Sequence, residues 1–267
     1  NPVLMALLWN SLATRKTRLL TRSMKKSFPI SDDCTWVNYV RCHDDIGWTF
    51  DDAVAQELGI NPFDHRFFLN QFYTGRFEGS FANGVPFAEN PSNGDCRVCG
   101  SLASLCGLEG ALKSSDSNAI DEAVKRMLLL YGITFSIGGI PLLYSSDEIA
   151  KLNDYSYRDD ESKKHDDRWV NRIAVTAEDT SLALAESQAI TQQDKASLAV
   201  FTGLQKLLNI RKSHRVFGNA STQILETGNQ HCFAFLRENQ EGDKLLVLSN
   251  FSEHTQQVNG EVLNAIA

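Results

Sequence analysis

The sequence predicts an α/β chain: the last part of a TIM (β/α)8 barrel, with a loop-rich subdomain inserted after one strand and an antiparallel β domain at the C-terminus. Two short strand-forming runs, residues 35–40 (TWVNYV) and 140–144 (IPLLY), each lead straight into polar residues. A long segment with helical periodicity lies between them, as in βα units with parallel strands. From Thr222 onward the pattern changes to period two, broken by the turn pairs Gly228-Asn229 and Gly242-Asp243, which predicts short antiparallel strands. Two βα units cannot close a barrel, but they suit its last quarter.

Taken in order, residues 3–25 predict one helix, with Leu4, Leu7, Leu8, Leu12 and Leu19 near helical spacing. Residues 29–33 form a loop, and 35–40 are a β-branched and aromatic strand that ends at Arg41-Cys42-His43-Asp44-Asp45. Helical pieces at 51–58 and 64–75 lead into a Gly/Asn/Pro-rich stretch at 79–100, too long for a plain connector. Asn118 is placed to cap a helix whose buried stripe is Ile120, Val124, Met127, Leu128 and Tyr131. Gly138-Gly139 ends that helix, and 140–144 follows as a second buried strand that runs into Ser145-Ser146-Asp147-Glu148. After a charged loop at 147–168, Thr191 caps a last helix carrying Val200, Leu204, Leu207 and Leu208. The expected divisions are a partial barrel over 1–50, an inserted subdomain over 51–112, a second barrel part over 113–215 and a β domain over 216–267 that stops short of a final strand.

Composition excludes several classes of function. The chain has 267 residues and a formal net charge of -7, which argues against nucleic acid as a partner because phosphate contact needs clustered Lys and Arg. The one basic stretch, residues 15–26, lies in a helical pattern and reads as a solvated face. The most apolar stretch, 128–144, is interrupted by Gly138-Gly139 and is too short and mixed to span a membrane. Cys96 and Cys99 form a single CxxC without the second pair of a zinc ribbon, so the six cysteines read as loop or packed thiols and lean towards a reducing, cytoplasmic setting. The opening Asn1-Pro2 reads as a chain cut from a longer protein.

Both polar clusters stand where strands end and loops begin, the position of chemistry in barrel enzymes. His43-Asp44 either caps the next loop or presents a carboxylate and an imidazole to a bound sugar. Sugar chemistry needs carboxylates because the oxocarbenium-like transition state is positive. Arg97 and Arg168 are either solvated loop residues beside Asp95 and Asp166-Asp167, or planar donor forks for sugar hydroxyls. Trp48 and Trp169 read more safely as core than as stacking platforms, and Asp147 and Glu148 as loop braces rather than catalysts.

These segments together resemble one family. Residues 36–50 (WVNYVRCHDDIGWTF) are similar to the seventh-strand motif of the amylosucrases, within the α-amylase superfamily of glycoside hydrolases. Residues 64–68 (DHRFF), 76–81 (RFEGSF) and 90–97 (NPSNGDCR) resemble the insertion after strand seven, and 138–144 (GGIPLLY) the eighth strand. The resemblance covers nearly the whole chain and is weakest after Glu226. It implies that Asp44 is the third catalytic carboxylate, which stabilises the transition state, and that His43 donates to a hydroxyl of the same glucosyl unit. It also implies that Asp45 and Arg97 grip the fructosyl unit of sucrose, that Arg168 closes the pocket floor by pairing with an upstream Asp, and that Arg66 and Phe68 shape the acceptor side. The reaction implied is retaining cleavage of sucrose with transfer of glucose to an α-1,4-glucan and release of fructose, with no metal or organic cofactor. The sucrose hydrolases share the motifs, and a non-catalytic carbohydrate-binding remnant is a further alternative. The family's nucleophilic Asp and acid/base Glu belong to strands four and five, which would precede Asn1, so the isolated chain is expected to be inactive. Cys42 and Ser146 depart from the family pattern, the second where a glycine is frequent.

Overall fold

The computed structural model describes residues 1–31, 33–179 and 191–266, with the side chains of Leu263, Ala265 and Ile266 excepted. The expected first helix is two. Helix α1 (Pro2–Thr14) is capped by Asn1, whose side chain accepts from the Leu4 amide at 3.1 Å, and Pro2 fits its first turn. It is buried from Leu4 to Ala13 and stops where Arg15 turns left-handed (φ 55°). Helix α2 (Arg18–Ser27) restarts after Thr17, whose amide donates to the Gln230 carbonyl at 2.7 Å. The turn at Gln230, in the C-terminal antiparallel sheet, thus captures the backbone at the break, a tertiary contact that local periodicity does not encode. The basic stretch is indeed a solvated face, because Arg15, Arg22, Lys25 and Lys26 pair with Glu253, Glu57, Glu226 and Asp51.

Strand β1 (Val37–Tyr39) is parallel to β4 (Ile140–Leu142), with Val37 opposite Ile140 and Tyr39 opposite Leu142. Between them lie α3 (Asp52–Glu57), α4 (Pro62–Tyr73), the antiparallel pair β2 (Val85–Phe87) and β3 (Arg97–Cys99), the short helices α5 (Leu102–Leu105) and α6 (Leu108–Ser114), and the long α7 (Ser117–Ser136). The β2–β3 ribbon lies inside the stretch that reads as irregular in the sequence. Asp116, not Asn118, caps α7: its carboxylate accepts from the amides of Asn118 and Ala119 at 3.0 and 3.1 Å. Thr191 and Asp194 form a reciprocal capping box for α8 (Gln192–Ser213). The three-stranded antiparallel sheet β5 (Ala220–Leu225), β6 (Cys232–Asn239) and β7 (Lys244–Asn250) turns at the expected glycine pairs.

The core runs from α1 through α7 to β6. Trp9 donates to the Val40 carbonyl at 2.8 Å, which fixes α1 to the end of β1. Tyr73 of α4 donates to the Trp9 carbonyl, and its ring stacks on Trp48 with centroids 5.4 Å apart, so Trp48 is a core residue. The expectation that 140–144 forms a buried strand fails. Ile140 is 56% exposed and Leu142 41%, and Val37, on the same face as Ile140, is 42% exposed. Among the described residues β1 and β4 have no other strand neighbour, and this face stays uncovered. No helix of the described residues is long and apolar enough to cross a membrane.

The link between α7 and β4 depends on glycine. Gly139 has φ +82°, and a Cβ there would lie 2.4 Å from the Trp36 carbonyl oxygen, which the Ile140 amide bonds at 2.8 Å. Ser146 takes a left-handed angle as well (φ 87°), although it is not glycine. We therefore expect opposite effects from two substitutions. Gly139→Ala should destabilise by about 2 kcal/mol or more, and Ser146→Gly should stabilise by up to about 1 kcal/mol. Urea unfolding followed by circular dichroism measures both.

Candidate active site

Three segments distant in sequence converge at the ends of β1 and β4. The first is the turn after β1. Ile46 forms an isolated antiparallel bridge with Val98 of β3 (Ile46 N to Val98 O 2.8 Å, Val98 N to Ile46 O 3.1 Å). That bridge sets Asp45 beside Arg97: the Arg97 Nη1 lies 3.4 Å from the Asp45 Oδ2, and the Asp45 side chain is only 8% exposed. The third segment is the one-turn 3-10 helix Asp167–Asn171, far along the loop after β4. A small core of Val85, Cys99, Tyr157 and Val170, flanked by Phe87 and Trp169, holds that loop against the β2–β3 ribbon. Asn171 adds a tie by accepting from the Gly100 amide at 3.1 Å.

This scaffold brings Arg168 to Asp44. The Arg168 Nη1 donates to the Asp44 Oδ1 at 2.8 Å, while its Nε and Nη2 reach the two Asp166 oxygens at 2.7 and 3.0 Å. The planar fork is thus split between two carboxylates, which a lysine could not copy. The guanidinium lies over the Phe87 ring, 5.0 Å from its centre. The hydrogen bond from Arg168 holds the Asp166 carboxyl below its ordinary range and raises the arginine in return. Arg172 also binds Asp166 (3.3 Å) and donates to the His43 carbonyl at 3.0 Å, which fixes the turn bearing His43 and Asp44. The His43 Nε2 stands 3.8 Å from the Asp44 Oδ2. Asp44 and His43 remain accessible, with side chains 46% and 68% exposed.

Among the sequence-derived candidates, His43, Asp44, Asp45, Arg97 and Arg168 therefore form one cluster. The partner of Arg168 expected upstream is not part of this chain, and here Asp44 and Asp166 hold the guanidinium. Arg66 and Phe68 are engaged elsewhere. Arg66 donates to the carbonyls of Trp48 and Phe50 at 3.1 Å each, pairs with Asp52 and lies 4.3 Å from the Phe50 ring centre. Phe68 packs edge-on against Phe77 at 4.9 Å. No hydrogen bond or ring contact among the described residues joins either to Asp44.

Sequence reasoning assigned no role to two residues that organise the site. Asp166 binds both Arg168 and Arg172, and its only sequence signal was a place in an acidic, arginine-containing loop. Arg41 is 1% exposed, donates to the carbonyls of Gly100 and Cys42, and lies 4.9 Å from the Tyr144 ring centre. Its signals were a charged residue at the end of an apolar strand and a place inside the motif of residues 36–50. Behind it, Asp147 is 2% exposed and accepts from the Tyr131 hydroxyl at 2.7 Å, a brace from the loop after β4 to α7. Cys96 and Cys99 are buried free thiols.

Comparison with known proteins finds likeness to two phosphorylases. No family model matches the chain. The chain is 26% identical over 233 residues to glucosylglycerate phosphorylase from Escherichia coli (strain K12), which covers 86% of this chain and 36% of that protein. Its fold resembles the crystal structure of sucrose 6F-phosphate phosphorylase from Thermoanaerobacter thermosaccharolyticum, with a TM-score of 0.53, 16% identity, and coverage of 93% of this chain and 47% of that one. The chain thus spans about a third of the curated relative and about half of the solved structure.

Burial pushes the Asp147 carboxyl up to about 7, with Arg41 and the Tyr131 hydrogen bond opposing the rise. A carboxyl raised in the folded state favours folding only while protonated. Its contribution is intact below about pH 4, is lost as pH rises towards 7 and stays lost above. Asp147→Asn should therefore raise stability at pH 8 by a few kcal/mol and leave it little changed at pH 4, flattening the pH profile of the unfolding midpoint.

Proposed function

We propose that the chain supplies the substrate-gripping side of a glucosyl-transferring active site of the α-amylase superfamily, in an enzyme that acts on sucrose. The observation that carries this reading is the joining of Asp44, Asp45, Arg97 and Arg168 from three remote segments into one cluster in which Asp44 and Arg97 stay accessible. Solvated loop residues have no reason to converge in this way. The likeness to two phosphorylases, one acting on sucrose 6F-phosphate by its name, supports the substrate class.

In this reading Asp44 faces the glucosyl unit. Its carboxylate accepts from ring hydroxyls, and its charge favours the positive oxocarbenium-like transition state over the neutral sugar. Arg168 holds that carboxylate in one orientation, so little reorganisation is needed when charge develops. His43 donates to a hydroxyl of the same ring. Asp45 and Arg97 accept from and donate to the fructosyl hydroxyls, which orients the leaving group. Retaining chemistry needs two further carboxyl groups about 5 Å apart, a nucleophile and an acid/base. Neither belongs to the cluster formed here, so the complete site takes them from residues outside this chain.

The finer reading is that of an amylosucrase: the glucosyl group passes to the 4-hydroxyl of an α-glucan and fructose is released. Hydrolysis, with water as acceptor, is one alternative. Phosphorolysis is another, favoured by the names of the relatives, in which phosphate accepts the glucosyl group to give glucose 1-phosphate and fructose.

The isolated 267-residue chain should release no glucose or fructose from sucrose above background, and turnover would refute the incomplete site. In a protein that joins these residues to the missing carboxylates, Asp44→Asn should lower kcat at least about 10²-fold. Assays of that protein with and without phosphate separate the readings. Insoluble glucan marks the transferase, equimolar glucose and fructose the hydrolase, and glucose 1-phosphate the phosphorylase. If the isolated chain binds sucrose by calorimetry without turnover, a carbohydrate-binding remnant is the better description.

A further inference from the structure

A second site lies at the other end of β4, where α7 and α8 both terminate. There a cleft of about 320 Å³ is lined by Arg211, Lys212, His214 and Arg215 over an apolar floor that includes Pro141 and Leu208, and none of its lining residues is an acid. In a chain of net charge -7 this is an unusual concentration of positive charge.

The cations are poorly compensated. Arg211 donates to the carbonyls of Phe135 and Gly139 (the latter at 3.2 Å), and no carboxylate pairs with it among the described residues. Arg237 lies behind the cleft, 1% exposed, and its Nη2 donates at 3.0 Å to the carbonyl of Gly218, a residue of the cleft wall. Its Nε and Nη1 are buried and have no partner. Burial first, and then the like charge of Arg211, pull its guanidinium down to about 10. A Cβ at Gly138 would come within 2.1 Å of the Arg237 Nη1, so the backbone at 138 leaves the space this guanidinium occupies. Among the described residues only Arg215 of these has an acid, Glu241 at 3.6 Å, and that pair is exposed and weak.

Magnitudes decide what is missing. The C-termini of α7 and α8 each present roughly half a negative charge. Together they offset about one of the two sheltered cations, Arg211 and Arg237, and leave a surplus near one beside the exposed Lys212. A partly buried surplus of that size is costly without a counter-ion. Guanidinium groups match the oxygens of a phosphoryl group in spacing and plane. We propose that this cleft binds a small phosphoryl dianion, either inorganic phosphate or a phosphate monoester whose body rests on the Pro141–Leu208 floor. The site is separate from the cluster around Asp44, which forms beyond the opposite ends of the strands.

The test is titration calorimetry of the 267-residue chain with inorganic phosphate and, separately, with a hexose monophosphate. One saturable site per chain is expected. Because Lys212 and Arg215 are exposed, the double variant Lys212→Ala/Arg215→Ala should stay folded by circular dichroism and bind at least about tenfold more weakly. Arg97→Ala, which would weaken phosphate held at the Asp44 cluster, should leave this binding unchanged. Tighter binding of the hexose phosphate identifies an ester as the ligand, and equal affinity identifies the free anion. Absence of saturable binding, undiminished binding in the double variant, or loss in Arg97→Ala would each overturn the proposal.

Discussion

The Arg41 guanidinium holds together everything that surrounds the candidate site. It sits at the end of β1, out of water, and donates at once to the carbonyl of Cys42 and to that of Gly100. The first carbonyl belongs to the turn that carries His43, Asp44 and Asp45; the second follows β3, which carries Arg97. Its face lies against Tyr144 at the end of β4, an arrangement worth up to about 2 kcal/mol where water is excluded. One side chain therefore sets the spacing of three loops. Among the described residues no carboxylate bonds it, and its Nε has no partner. The nearby Asp147 supplies opposite charge, and its own burial makes that charge costly. Such a centre is sensitive to any change around it, as expected where geometry matters more than stability.

The order of the chain explains why a ribbon is inserted between the two strands. β2 and β3 join no larger sheet among the described residues. They offer one edge to Ile46 and one face to the loop ending in Asp167–Asn171, and on that face Arg97 stands opposite Phe87, whose ring lies under Arg168. The long excursion is thus a positioning device, and its Gly, Asn and Pro content reflects tight turns rather than disorder.

Much of this was legible in the sequence, for identifiable reasons. Helix caps and glycine stops are local, so the ends of α7 and α8 and the turns of the C-terminal sheet could be read within a residue or two. The cluster of His43, Asp44, Asp45, Arg97 and Arg168 was legible only through resemblance, since spacing alone could not bring residues 45 and 97 together. Four features were not legible. The break between α1 and α2 depends on a carbonyl more than two hundred residues away. The β2–β3 ribbon has strands of three residues, too short for periodicity to register. The role of Asp166 needs two arginines folded onto it. The exposure of β4 follows from its lack of neighbours, whereas its composition is that of a buried strand. Arg66 is marked for the acceptor side only by the resemblance, and within this chain its donors reach the Trp48 and Phe50 carbonyls and Asp52.

That exposed strand has a consequence for how the chain behaves in company. Val37, Ile140 and Leu142 form an oily strip, and the two short strands that carry it have no further strand neighbour among the described residues. Such a strip at the edge of a short sheet is adhesive to extended peptides. Any segment that covered it would have to outcompete self-association of the same strip between copies of the chain.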